Sequence, residues 1–354
     1  MSVEFVSADQ VAHAAAFEAP LRLVDTFGRV ARDLRVSLTD RCNLRCSYCM
    51  PPEGLDWLPT EETLTDAEVV RLVCIGVEQL GIRQVRFTGG EPLLRRGLEG
   101  IIAECSQLRT DEGQTPDLAL TTNALGLAKR AQGLRDAGLD RVNISLDSLD
   151  REHYAAITRR DRLGDVLEGI EAAARAGLSP IKVNTLVLRG MNEADLPDLV
   201  DYCLDRGIEL RVIEQMPIGP VDTWDRQNIL TADEILHIMG TRHTLAPAQR
   251  EDPHSPAGRW IVDGDQTKRL GVIASVSDPF CNACDRTRLT SDGMVRSCLF
   301  STEETSLRDL LRGGGSDAQI AARWADAMWV KPAAHGLNTD AFARPSRTMS
   351  RIGG

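Results

Sequence analysis

The stretch Leu34–Gly54, LRVSLTDRCNLRCSYCMPPEG, sets a β-type run directly before three cysteines, Cys42, Cys46 and Cys49, spaced C-x3-C-x2-C. In the run, Arg35, Ser37 and Thr39 alternate with Val36 and Leu38. A period of two places the polar side chains on one face of a strand and the apolar ones on the other. Further runs follow: QVRFT (Gln84–Thr88), LALTTN (Leu118–Asn123), RVNISLD (Arg141–Asp147), IKVNTLVL (Ile181–Leu188) and ELRVIEQM (Glu209–Met216). Helix-spaced segments separate them. Leu163, Leu167, Ile170 and Ala174 recur at helical intervals before Gly177 and Pro180, and Thr65 with Glu68 forms a capping-box opening. Strand–helix alternation predicts parallel strands joined by right-handed crossovers. Six such units ending at Met216 fit an incomplete (β/α)6 TIM-like barrel, since a closed eight-unit barrel usually needs about 250 residues.

Buried parallel strands are ordinarily apolar throughout, yet these alternate. Arg86 and Thr88 flank Phe87; Asn143, Ser145 and Asp147 interleave with Val142, Ile144 and Leu146; Lys182 and Asn184 interleave with Ile181 and Val183. Four strands in agreement predict a ligand-lined hollow inside the barrel. Arg35, Arg86 and Lys182, with Arg211 on the last strand, put cations there, and converging buried cations call for an anionic ligand such as polyphosphate.

Beyond Met216 the pattern changes. A helix is expected near Thr231–Met239, a solvated loop over Thr244–Gly258, and short strands over Arg259–Thr290. Leu307–Val330 should be helical apart from Gly313–Gly315, and Lys331–Gly354 should be a mobile tail. This predicts a barrel unit over 23–243, a carboxy-terminal unit over 244–354, and an added segment at 1–22. The 354 residues carry a formal net charge of −11, which argues against nucleic acid or an acidic membrane as partner. Neither a membrane-length apolar run nor a secretory pattern is legible, so a cytoplasmic protein is expected. Nine cysteines there are better metal ligands or core thiols than disulfides.

Three closely spaced thiolates leave one iron of a four-iron cluster open. A zinc site closed by a distant histidine and chance clustering are the other readings of the spacing, although zinc favours paired C-x2-C elements. A second group, Cys281, Cys284 and Cys298, is spaced C-x2-C-x13-C, with Arg286 and Arg288 just after Cys284. Half of a zinc knuckle is its plain alternative. Cys74, Cys105 and Cys203 sit in apolar helical patterns and read as core thiols.

The first spacing, with an aromatic residue at Tyr48, resembles the radical S-adenosylmethionine superfamily. GGEP (Gly89–Pro92) at the end of the second strand resembles the segment meeting the methionyl amino group in that superfamily. LVDTFGRVARDLRVSLTDRCNLRCSYCMP, RFTGGEPLLRR, TTNA, VNISLDSLD, KVNTLVLRGMN, LRVIEQMPIG, the second cysteine group and the terminal GG together resemble the GTP 3′,8-cyclase family of molybdenum cofactor biosynthesis. The resemblance implies two [4Fe-4S] clusters, one held by Cys42, Cys46 and Cys49 and one by Cys281, Cys284 and Cys298. It implies S-adenosylmethionine contacts at Tyr48, Gly90, Ser145 and Met216. For GTP it implies Arg35, Arg86, Thr121, Lys182, Arg211, Arg286 and Arg288. No side chain is expected to act as an acid or base; the cofactors drive the chemistry. The implied reaction turns GTP into (8S)-3′,8-cyclo-7,8-dihydroguanosine 5′-triphosphate. An electron donor and the cyclic pyranopterin synthase that takes the product are implied partners, a homodimer is left open, and Gly353–Gly354 resembles a tail entering the active site. A peptide-modifying radical enzyme and a non-catalytic zinc-binding module are the alternatives.

Overall fold

A computed structural model describes residues 21–220, 224–339 and 342–353 of the chain. Six parallel strands follow one another in sequence and in space: β1 (Asp33–Ser37), β2 (Gln84–Thr88), β3 (Asp117–Thr122), β4 (Arg141–Ser145), β5 (Ile181–Leu186) and β6 (Glu209–Ile213). Helices α1 (Asp66–Cys74), α2 (Leu98–Cys105), α3 (Leu127–Asp136), α4 (Arg151–Thr158), α5 (Leu163–Arg175) and α6 (Leu196–Asp205) occupy the crossovers. The expected βα alternation is therefore present, with β2 at the expected bounds and the other strands within a few residues of theirs.

The reason lies in the alternation itself. Val36, Phe87, Leu120, Ile144, Val183 and Val212 are fully buried and join Leu72, Ile102, Leu134, Val166 and Val200 of the helices in one apolar layer. Each such side chain contributes on the order of 1.5–3 kcal/mol by leaving water. Thr65 caps α1 with the expected box, its hydroxyl accepting from Glu68 N while Glu68 accepts from Thr65 N. Thr231 does the same for α7 (Ala232–Met239) and Ser316 for α9 (Asp317–Trp329). Between the last two lies α8 (Arg308–Arg312), and Gly313–Gly315 separates it from α9 as the sequence predicts.

The carboxy-terminal part adds to the same sheet. Strands β7 (Leu245–Pro247), β8 (Gly258–Val262), β9 (Asp265–Ile273), β10 (Arg286–Leu289), β11 (Met294–Arg296) and β12 (Thr305–Ser306) complete the order β12-β11-β10-β1-β2-β3-β4-β5-β6-β9-β8-β7. β10 runs parallel to β1 and β9 parallel to β6, so each edge of the six-strand core gains one more parallel strand.

Two expectations need correction. Thr244–Gly258 is not wholly loop, because β7 pairs antiparallel with β8 despite Pro247 at its end. The tail is not loose: Lys331 is 3% exposed, Ile352 is fully buried with Ile218 and Phe300, and the last turn forms α10 (Met349–Ile352). Arg347 anchors it by donating to Asp292 at 2.8 and 2.9 Å and pairing with Glu304 at 2.7 Å. Met1–Pro20 and Gly354 fall outside the described residues. Cys105 and Cys203 are core thiols as read from sequence. Cys74 is only partly buried, and its thiol donates to Glu78 Oε2 at 3.2 Å.

Candidate functional site

Strand register decides what the barrel interior holds. Arg288 on β10, Arg35 on β1 and Arg86 on β2 are direct neighbours in one row. Asn143, Lys182 and Glu209 form a second row, and Asn184, Arg211 and Gly271 a third. Three guanidinium groups side by side repel one another, so the row is unfavourable until a counter-charge arrives.

That cost is visible locally. A cavity of about 400 Å³ is lined at the amino ends of the strands by Arg35, Arg86, Arg141, Lys182, Arg211 and Arg286, with Arg259 of β8 alongside. Arg86 is 8% exposed, and its side-chain Nε has no hydrogen-bonding partner among the described residues. The Nε atoms of Arg35, Arg86, Arg211, Arg259 and Arg286 are buried and make no hydrogen bond among the described residues. Burial, then the Arg35 charge, drives the Arg86 guanidinium well below its ordinary value. Burial with neighbouring arginines brings Arg211 down to about 10 and Lys182 to about 8. Asp33 and Glu209 give partial relief. Asp33 pairs with Arg35 at 3.6 Å and Arg286 at 3.7 Å; burial alone would raise its carboxyl, but these cations hold it at about 2. Glu209 pairs with Arg259 at 3.2 Å, Lys182 at 3.4 Å and Arg211 at 3.8 Å. Arg141 is different, bound to Asp117 at 2.6 Å.

The carboxyl ends carry the first cysteine group. Cys42, Cys46 and Cys49 line one cavity of about 150 Å³ with Tyr48, Gly90, Glu91, Thr121, Asn123 and Ser145. An adjoining cavity of about 140 Å³ shares Tyr48, Cys49, Ser145 and Asp147 and adds Asn184, Gln215 and Met216. Gly90 is required here: a Cβ would stand 2.3 Å from Arg41 O and 2.5 Å from Asp40 O, so only glycine lets GGEP lie on the cysteine loop. Burial pushes the Cys42 and Cys49 thiols up to about 11 and about 12. Burial thus favours the neutral thiols, and a metal bound here would displace their protons and hold them as thiolates. Tyr48 donates to Asp147 Oδ2 at 2.8 Å, and burial raises that carboxyl to about 6. Glu91, 1% exposed, accepts from Thr122 Oγ1, Leu93 N and Asn123 N; burial lifts it to about 7.

The second group lines a further cavity. Cys281 and Cys284 lie around one 3₁₀ turn, Cys298 follows β11, and all three face the same space with Met216, Arg286, Arg288, Phe300 and His335. Met216 is also a wall of the second cavity and Arg286 of the cation cavity, so the four spaces adjoin in series. Burial would raise Cys284, but Lys331 and Arg286 outweigh it and bring the thiol below its ordinary value. Arg288 Nη1 donates to Gly353 O at 2.6 Å, which ties Gly353 to the barrel. Gly353 holds φ +84°, and a Cβ there would meet Thr88 at 2.9 Å.

The cysteines of each group thus share a cavity, and Tyr48, Gly90, Ser145 and Met216 surround the first. Arg35, Arg86, Lys182, Arg211 and Arg286 meet in the cation cavity, Arg288 lies beside the second cysteines, and Thr121 faces the first. Asp147, Glu91, Asn123, Arg259 and Lys331 gain a site role from the geometry. Of these, Asp147 already carried a signal in its alternation with Val142, Ile144 and Leu146. Among the described residues no three His, Cys, Asp or Glu side chains close on a point that one ion would fill. Six thiols in two open cavities fit polynuclear clusters, which take one thiolate per iron.

Known proteins agree. The model of the radical SAM superfamily matches residues 36–203, and that of Molybdenum Cofactor Synthesis C matches 208–337. A Corynebacterium glutamicum protein named GTP 3′,8-cyclase is 59% identical over 336 residues, covering 94% of this chain and 89% of its own. A Mycobacterium tuberculosis protein named GTP 3′,8-cyclase 2 is 56% identical, covering 94% and 92%. Among solved structures, Streptococcus suis SuiB bound to S-adenosylmethionine superposes with a TM-score of 0.57 at 14% identity, over 89% of this chain and 71% of that one. At that identity the likeness concerns the fold alone. Matched along nearly its whole length by these relatives, the chain belongs to the GTP 3′,8-cyclase family of the radical SAM superfamily.

Proposed function

We propose that this protein converts GTP into (8S)-3′,8-cyclo-7,8-dihydroguanosine 5′-triphosphate, the first step of molybdenum cofactor biosynthesis. The observation that carries the reading is the cavity of buried guanidinium groups, only partly relieved by Asp33 and Glu209, joined through Arg286 to a cysteine-lined cavity. A polyphosphate fits that deficit of negative charge, and a nucleotide whose phosphates lie there can extend its base toward Cys281, Cys284 and Cys298. In this reading residues 23–243 carry the S-adenosylmethionine site and 244–354 hold the second cluster.

The donor sets fit the groups they would hold. Cys42, Cys46 and Cys49 would bind one [4Fe-4S] cluster, and Cys281, Cys284 and Cys298 the other, each three-thiolate set leaving one iron for a small molecule. When bound, the first cluster with S-adenosylmethionine supplies the carbon-centred radical that starts cyclisation, and the second supplies an iron to the guanine edge. The remaining work belongs to the side chains. Arg35, Arg86, Lys182, Arg211 and Arg286 bind the triphosphate, and Arg288 and Thr121 contact the nucleoside. Tyr48, held by Asp147, and Gly90, Ser145 and Met216 orient the cosubstrate. Ile352 and Gly353 close the interior against water, which matters because a primary radical attacks the nearest C–H. An electron donor and the synthase that consumes the product are the partners this implies.

Anaerobic purification tests the reading. The expected result is a brown protein with about eight irons per chain that consumes S-adenosylmethionine when GTP is present. A colourless zinc protein, or one that turns over equally without GTP, overturns it.

A further inference from the structure

We propose that Lys331 is a positioning residue whose ammonium group counters the negative charge of the cluster held by Cys281, Cys284 and Cys298 and so raises its reduction potential. The inference rests on the two-cluster reading above. Lys331 follows α9 and is 3% exposed. Its Nζ has three acceptors: Arg286 O at 2.9 Å, Cys284 O at 3.0 Å and Cys284 Sγ at 3.4 Å. Three acceptors match the three N–H donors of an ammonium group.

Among the described residues no carboxylate pairs with it. Arg288 in the same cavity likewise has no carboxylate among the described residues and is bonded to Gly353 O, whereas two other neighbouring cations are paired. Arg29, which donates to Cys281 O at 2.7 Å, is paired with Asp25 at 2.6 Å; Arg286, whose Nη1 is 3.9 Å from Cys284 Sγ, is paired with Asp33 at 3.7 Å. A buried ammonium without a counter-charge costs several kcal/mol. Carbonyl oxygens offset part of that, and the sulfur of Cys284 points to where the missing charge belongs. A four-iron cluster on three thiolates is an anion, and one-electron reduction makes it more so. A fixed positive charge with an N–H aimed at a ligating sulfur favours the reduced state.

The test is an EPR-monitored redox titration of the anaerobic, two-cluster enzyme with dithionite, without GTP. The second cluster's signal is the one absent from Cys298→Ala. Lys331→Gln keeps a donor and removes the charge; Lys331→Arg keeps the charge. At a fixed potential, Gln should lower the reduced-to-oxidised ratio of the second cluster at least tenfold, which for one electron is about 59 mV. Arg should stay within about twofold, and the first cluster should not move in either. An unchanged ratio in the Gln variant, or an equal fall in both, overturns the role of Lys331. Should the Gln variant lose iron, the Arg variant decides: a shifted ratio there overturns the proposal. Wild-type protein with four irons or fewer overturns the two-cluster reading instead, so the two failures are distinct.

Discussion

Replacing Lys182 by methionine should make the nucleotide-free protein more stable while removing its ability to use GTP. Burial and the charges of Arg211 and Arg259 bring this amine from 10.5 to about 8, although Glu209 opposes them. The side chain is 16% exposed, so solvent screens it only partly. At about 1.4 kcal/mol per pH unit, the protonated amine costs the folded state on the order of 2–3 kcal/mol. Methionine keeps the length and removes the charge, and Glu209 retains Arg259 and Arg211, so no carboxylate is orphaned. Because the folded value lies below the unfolded one, the unfolded chain holds more protons between pH 8 and 10.5 and wild-type stability rises there. The gap should thus be full below about pH 8 and vanish as pH rises through 10.5. Anaerobic urea unfolding followed by tryptophan fluorescence measures it, Trp324 being fully buried and bonded to Thr287. GTP at one hundred times its dissociation constant should stabilise wild type by about 2.7 kcal/mol and the variant by far less. A variant that is the less stable at pH 7 without GTP, or a gap unchanged at pH 11, refutes the reasoning.

Other outcomes follow from the same geometry. Arg288→Ala releases Gly353 O and should lower cyclisation by about tenfold or more with the iron count intact; wild-type turnover would remove Arg288 from the site. Cys298→Ala should drop the iron from about eight to about four per chain, keep slow reductive cleavage of S-adenosylmethionine and form no cyclised product, as product analysis would show. Gly90→Ala forces a Cβ within 2.3 Å of Arg41 O, so the first cluster should fail to assemble and its visible absorption be lost. Retention of full cluster absorption would mean the loop yields more readily than its packing implies.

The six core strands and both cysteine groups were legible because their signals are local: a period of two, and fixed spacing between ligands. β9 and β10 were seen only as short strands, since nothing in DQTKRLGVI or RTRL says that β6 and β1 are their neighbours. The tail misled for a related reason. Arg347 and Lys331 look solvated in sequence, but their partners Asp292 and Cys284 lie some 50 positions away. Glu209 opened a strand and gave no sign that it would meet three cations, because that meeting depends on register across β5, β6 and β8.

The pairing of β10 with β1 also bears on biosynthesis. β1 leaves the ribosome early, yet the neighbour that covers its outer edge, Arg286–Leu289, is translated only after most of the chain. Throughout that interval β1 presents free amides and carbonyls beside the apolar residues Leu34 and Val36, a template for intermolecular association. The nascent protein should therefore depend on chaperone shielding, and a stop codon placed before β10 should yield an aggregating fragment even though all six core strands are present.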